Sequence, residues 1–387
     1  MAGEDLVGEG DSCRMSTRYE PVSEVAQQHR KERNVRLENV RREYRRLMGR
    51  KVLFLWGIIV LIILAVGYII TLGPLGLTIL QVYETLLARF IPQLLNLDPV
   101  LEQVVWNIRF PRIFGGIFAG FGFGICGCVM QAVLRNPLAS PFTLGISSGA
   151  HFGVAIAAVF GISVIGGAYL LIANAFLFAM LCSLFIVSLA AWKGATSETL
   201  ILAGIAVNYL FSSLSQLMAY FANDEQLRLM SLWGMGDLSA FSWNKFGLFF
   251  VIFAICTPIL LSKSRDLNLM TIGDDSAKSL GVDANRVRMV TMMVSSVLVA
   301  TIVCFTGTIG FIGLVAPHIA RMLIGTDHRI LILASGVLGA CLLIAADAVA
   351  MNIIGPTIIP TGIMTALLGV PFFLYLVMKG KRKEFWQ

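Results

Sequence analysis

Residues 113–133 read Ile113-Phe114-Gly115-Gly116-Ile117-Phe118-Ala119-Gly120-Phe121-Gly122-Phe123-Gly124-Ile125-Cys126-Gly127-Cys128-Val129-Met130-Gln131-Ala132-Val133, without a formal charge. At 1.5 Å per residue, a helix of about 20 such residues crosses the roughly 30 Å hydrocarbon core of a bilayer. Lipid offers the backbone no hydrogen bonds, so the segment must satisfy its own groups as a helix. Gly116, Gly120 and Gly124 recur every four residues and leave one face nearly bare, which invites a neighbouring helix to approach closely. The segment 122–127 also spells G-x-G-x-x-G. No strand precedes it and no acidic residue follows about twenty positions on, so a dinucleotide site is set aside.

Nine further stretches repeat this character: Val52–Leu72, Phe142–Ser163, Ala168–Trp192, Thr199–Phe221, Asn244–Leu261, Arg288–Thr306, Ile309–Ile324, Ile330–Ile354 and Thr361–Met378. The third and eighth in chain order are short or interrupted. With 57% hydrophobic and 14% charged residues, the composition exceeds what a water-facing surface tolerates. The expected fold is all-α: a polytopic membrane protein of about ten transmembrane helices. Small residues recur at Gly149 and Gly153, at Gly336 and Ala340, and at Gly362 and Ala366, so the helices should pack tightly.

Lys and Arg near span ends stay on the cytoplasmic side. Arg41, Arg42, Arg45, Arg46, Arg50 and Lys51 precede the first span, and Lys379, Lys381, Arg382 and Lys383 follow the last. The loops of the same side add Arg135, Lys193, Lys263, Arg265, Lys278, Arg286, Arg288, Arg321 and Arg329; the opposite side offers Arg89, Arg109, Arg112, Arg228 and Lys245. Both termini are therefore expected in the cytoplasm. Residues 1–51 form a polar, basic extension, 52–379 the membrane domain and 380–387 a short tail. No short apolar core with a small-residue cleavage site precedes Val52, so no cleaved signal is expected. Within the extension, Lys31 to Lys51 hold nine basic residues against Glu32, Glu38 and Glu43, an excess that fits an orientation signal or attraction to anionic lipid, without nucleic acid. Six of the seven cysteines lie in apolar spans and read as small buried residues.

Ser262 to Arg288 is a polar island between spans, containing Gly273-Asp274-Asp275-Ser276-Ala277-Lys278-Ser279-Leu280-Gly281. Asp274 or Asp275 suits a helix start and Gly281 its end. No G-x-x-x-x-G-K-[ST] segment is present, so the chain should not hydrolyse ATP. Ionisable groups inside spans are few: Asp347, His151 and His318. A carboxylate at Asp347 is costly to bury and must meet a hydrogen-bond partner or water.

Several motifs together now carry a resemblance. Arg109-Phe110-Pro111-Arg112, Gln131 to Pro141 (QAVLRNPLASP), Leu144 to Ala150 (LGISSGA), Gly307 to Arg321 (GTIGFIGLVAPHIAR), Asp327-His328-Arg329 and Pro360 to Phe373 (PTGIMTALLGVPFF) resemble the permease subunits of type II ABC importers. That family takes up vitamin B12, haem and ferric siderophores, and the likeness runs from about Val52 to Lys379.

The resemblance implies two permease subunits, here a homodimer, with two cytoplasmic ATPases below and an extracytoplasmic binding protein above. It implies no cofactor. The island becomes the segment that docks on the ATPases, through Gly273, Asp274, Asp275, Ala277, Lys278, Ser279, Leu280 and Gly281. Arg109 and Arg112 become exposed contacts to acidic residues of the binding protein. The fifth and tenth spans would line the pathway, with Asn208, Ser212, Ser213 and Gln216 on one and Thr361 and Thr365 on the other. A siderophore is the expected cargo, with haem and vitamin B12 as alternatives. In the vitamin B12 member an arginine follows the A-D-x-V-A motif, whereas Met351 follows Asp347-Ala348-Val349-Ala350 here. A proton-coupled carrier using Asp347 is a more distant reading, and no convergent nucleophile, base or metal set supports an enzyme.

Overall fold

The computed structural model describes residues 22–73, 76–90, 99–163, 165–193, 197–355 and 357–379. The tail 380–387 and residues 1–21 of the extension lie outside them. Two units are distinguished, 1–53 and 54–387. In the first, the described residues belong to helix α1 (Val22–Ile69) and Arg36, Arg42, Arg45, Arg46 and Arg50 are exposed. The rest of α1 opens the second unit.

The elements of the second unit are α2 (Ile79–Phe90), α3 (Pro99–Glu102), α4 (Phe110–Val133), α5 (Ile146–Phe160), α6 (Leu170–Lys193), α7 (Ser197–Phe221), α8 (Asp224–Met235), α9 (Trp243–Ser262), α10 (Ser264–Met270), α11 (Asp274–Ser279), α12 (Ala284–Thr306), α13 (Ile312–Ile324), α14 (His328–Asn352) and α15 (Thr361–Lys379). No strand occurs among the described residues. Each of the ten apolar stretches read from the sequence falls on a helix. Among the described residues, seven helices are long and apolar enough to cross a membrane, while α2, α5, α13 and α15 contain shorter apolar segments.

The largest boundary difference among the spans is in the second stretch. The second stretch does not begin at Ile113, because α3, a π-helical turn at Gln103–Arg109 and α4 run on as one apolar helix, Pro99–Val133. Arg109 and Arg112 interrupt the hydropathy pattern but not the helix, since both charges are taken up inside the fold. Pro111 lacks a backbone N–H, and it follows directly on the π-helical turn, where the regular bonding of the continuous helix is already interrupted.

The glycine face of α4 does what its spacing predicts. A Cβ at Gly120 would stand 2.5 Å from the Gly339 carbonyl oxygen, and one at Gly124 would stand 2.0 Å from that of Ser335. On the same helix, a Cβ at Gly127 would meet the Gly313 oxygen at 1.8 Å. Backbones of α4, α13 and α14 therefore touch where a side chain would hold them apart, and dispersion between close helices replaces the hydrophobic drive that lipid cannot supply. Gly153 and the Asn174 carbonyl do the same for α5 and α6. The opposite flank of α4 is aromatic: Phe118 packs edge to face on Phe250 and Phe253 of α9 at 5.4 and 5.0 Å.

Candidate functional site

A cavity of about 640 Å³ opens among α5, α7, α8 and α15. Phe142, Ser147 and Asn208 form one wall, Gly234 and Met235 at the end of α8 another, and Gly362, Ile363, Ala366 and Leu367 of α15 a third. Thr308, Gly310 and Phe311 complete it. Its surface is mostly apolar, with few polar groups among the lining. Phe311 holds φ at 67°, a region that costs a bulky residue roughly 1 to 3 kcal/mol. The neighbouring walls are stitched by backbone: Gly362 N–H donates to the Gly236 carbonyl at 2.9 Å, and the Thr308 hydroxyl donates to that of Gly234.

Of the six pathway residues expected from the sequence, Asn208 lines this cavity. Its Nδ2 donates to the Phe142 carbonyl at 3.2 Å while its Oδ1 accepts from Ser148 at 2.7 Å. Ser212, Ser213 and Gln216 lie on the exposed face of α7, away from the lining. Thr361 and Thr365 are buried, at 0% and 2% exposure, and their hydroxyls are turned inward. The cavity's other walls come from residues far apart in sequence, which no local pattern announced. His151 is half-buried beside Trp233, with Nε2 3.3 Å from the Met230 carbonyl.

Next to the cavity's α8 and α15 walls lies a buried ionic network. Arg112 of α4 donates to both carboxylate oxygens of Asp347 of α14, at 2.9 and 2.8 Å, and lies 3.3 Å from Asp237. Thr361 at the start of α15 donates to Asp347 at 2.6 Å. Arg112 and Asp347 are 5% and 2% exposed. Three segments thus meet at the guanidinium and α15 joins through the Asp347 carboxylate, with the Arg112–Asp347 pair in the bidentate geometry that makes such pairs strong. Arg109 is also buried and donates to the Ile70 carbonyl. This corrects the expectation that both arginines are exposed. An isolated guanidinium is too costly to bury, and the carboxylate that makes burial possible is 235 residues away. Asp347 finds in Arg112 and Thr361 the partners its position demanded.

At the opposite end of α4, the island folds as two short helices, α10 and α11. Gly273, with φ at 136°, is the N-cap of α11, and no side chain caps it; Asp274 and Asp275 lie within the first turn instead. Gly281, with φ at 85°, closes the helix: its N–H bonds to the Lys278 carbonyl at 3.0 Å and that of Val282 to Ala277 at 2.9 Å. Ala277 is buried, whereas Asp275, Lys278, Ser279, Leu280 and Gly281 are exposed. Asp274 turns back into the chain, against Arg135 and Arg288. Asn268 of α10 bonds Asp327 at 2.8 Å and the His328 N–H at 2.9 Å, fastening the island to the start of α14. Partial burial pushes the Asp327 carboxyl up, but the Asn268 amide, the Arg329 N–H and nearby positive charge outweigh it and hold the group below its ordinary value.

A bundle of apolar helices around an open cavity, with an exposed two-helix island at one end, defines a multi-pass membrane transport protein. Residues 58–379 match the model of the FecCD transport family, and the chain belongs to that family. A Methanocaldococcus jannaschii protein assigned as an ABC transporter permease is 41% identical over 355 residues, covering 88% of this chain and 98% of its own. The Yersinia pestis hemin transport system permease protein HmuU is 34% identical, over 84% and 95% of the two chains. The Bacillus subtilis Fe(3+)-citrate import system permease protein YfmE is 37% identical, over 76% and 87%. A solved inward-facing structure assigned to the metal-chelate type of ABC transporter superposes with a TM-score of 0.74 at 34% identity, over 84% of this chain and 99% of that one. The chain is a permease subunit and not an enzyme; hydrolysis of ATP belongs to a separate subunit.

Proposed function

We propose that this permease imports an iron complex, a ferric siderophore before haem or vitamin B12, across the inner membrane by alternating access. The observation that carries the reading is the largely apolar cavity of about 640 Å³, which α15 and Asn208 of α7 help to wall. Its size and sparse polar lining suit a bulky chelate that is passed on rather than held. Relatives named for hemin and Fe(3+)-citrate support the cargo class.

A second copy of the chain would complete the pathway. Two ATPase subunits would bind the island, with the termini on the same, cytoplasmic side, and ATP-driven closure of the ATPases would move α10 and α11 as rigid bodies. Asp275, Lys278, Ser279 and Leu280 are among the exposed island residues open to such a partner, Leu280 being 61% exposed. A binding protein would dock at the other end. To engage Arg109 or Arg112 it would have to draw them out of their internal bonds, so other groups on that end make the first contact.

The test is reconstitution in proteoliposomes with the partner ATPase and binding protein, offering a ferric hydroxamate, haemin and cobalamin in turn. ATP-dependent uptake of the ferric chelate is expected. Combined reversal by Asp275→Lys and Lys278→Glu should lower ATPase association by about tenfold, the loss of roughly 1.4 kcal/mol, with the helical content unchanged. Uptake by the purified chain alone, driven by a proton gradient, would overturn the proposal in favour of a secondary carrier.

A further inference from the structure

We infer that Arg135 is the positioning residue of a joint that carries motion between the island and α4, an inference that rests on the transport function proposed above. Arg135 follows the last turn of α4, and its Nε and Nη2 donate to the Met270 carbonyl, the last residue of α10, at 3.1 and 2.8 Å. The same Nη2 reaches the carboxylate of Asp274, the first residue of α11. One guanidinium therefore grips the end of one island helix and the start of the next. It caps a helix C-terminus, where the backbone carries partial negative charge, and pairs with a carboxylate at a helix N-terminus.

Arg288 of α12 closes the joint from the other side, its Nη2 standing 3.1 Å from the second oxygen of Asp274. Holding Arg135 in place requires φ at 45°, which a non-glycine residue seldom adopts. The Arg135 and Asp274 side chains are 38% and 44% exposed, and ion pairs that open to water contribute little to stability. Folding thus gains little from the Arg135–Asp274 pair itself, while geometry gains a great deal: α10, α11, α4 and α12 meet at one carboxylate and one carbonyl. Displacement of the island by a partner is delivered to α4, the helix whose glycine face is locked to α13 and α14. Asp274 is consequently the inward half of the island and Asp275, Lys278 and Leu280 the outward half.

The experiment uses the complete transporter in proteoliposomes, with haemin or ferric citrate as the probe, whichever the wild type carries. Arg135→Ala is expected to retain the ATPase and continue hydrolysis, while probe imported per ATP falls by about tenfold or more. A second variant combines Arg135→Cys with Asp274→Cys. Reduced, it should behave as Arg135→Ala does; joined by a short bis-thiosulfonate bridge, it should recover coupling, because the bridge replaces the joint. Unchanged import per ATP in Arg135→Ala, or a bridged pair that stays uncoupled, overturns the joint. A wild-type chain that holds no ATPase overturns the transport reading itself, and that control is scored separately.

Discussion

Asp347→Ala is expected to destabilise the folded permease by about 3 to 5 kcal/mol, because it leaves the Arg112 guanidinium buried without its main counter-charge. Arg112 is 5% exposed, so water cannot replace the two hydrogen bonds that Asp347 accepts at 2.8 and 2.9 Å. Asp237, at 3.3 Å and one-third exposed, offers a longer and partly solvated substitute. The Thr361 hydroxyl loses its acceptor as well, which loosens the start of α15 beside the cavity. The combination of Arg112→Met with Asp347→Leu removes both charges and should recover at least half of the loss, since apolar groups of similar volume often replace a buried pair at little cost. Denaturant titration in one defined detergent, with Arg112→Met and Asp347→Leu also made singly, closes a double-mutant cycle that gives the coupling. A single Asp347→Ala variant as stable as the wild type would show that the network holds nothing together.

Gly127→Leu is expected to destabilise the membrane domain by about 3 kcal/mol or more. Its first added atom would lie 1.8 Å from the Gly313 carbonyl oxygen, which is backbone and cannot rotate away. Either α4 and α13 separate along their length or the residue is not accommodated. Little folded protein should elute as a single species on size-exclusion chromatography. Gly247→Ala in α9 is the control: nothing lies within 4 Å of its Cβ, and alanine there should stabilise the helix by roughly 0.5 to 1 kcal/mol. Equal yields of the two variants would refute the close-packing argument.

Helices, the glycine face and the island were legible because each is written in neighbouring residues. Hydropathy over about 20 residues reports burial in lipid, and a four-residue glycine period reports one helix face. The island's closing glycine was legible for the same reason, since a positive φ at Gly281 is a local demand. Asp274 misled because an acidic residue near a helix start has more than one use. A cap would need Asp274 to bond its own helix, whereas Arg135 and Arg288 claim it from α4 and α12. Arg112 misled in the same way, as a charge near a span end reads as exposed until a buried carboxylate is known to face it.

The sequence by itself determined that the chain is a helical membrane protein of a recognisable transport family, because lipid imposes its demand on each span separately. Only the tertiary structure decided which charges are exposed. Asp347 and Arg112, Arg135 and Asp274, and the walls of the cavity come together across more than a hundred residues of chain. Whether a charge is solvated, paired or available to a partner depends on what stands within about 4 Å of it, and that distance is set by packing.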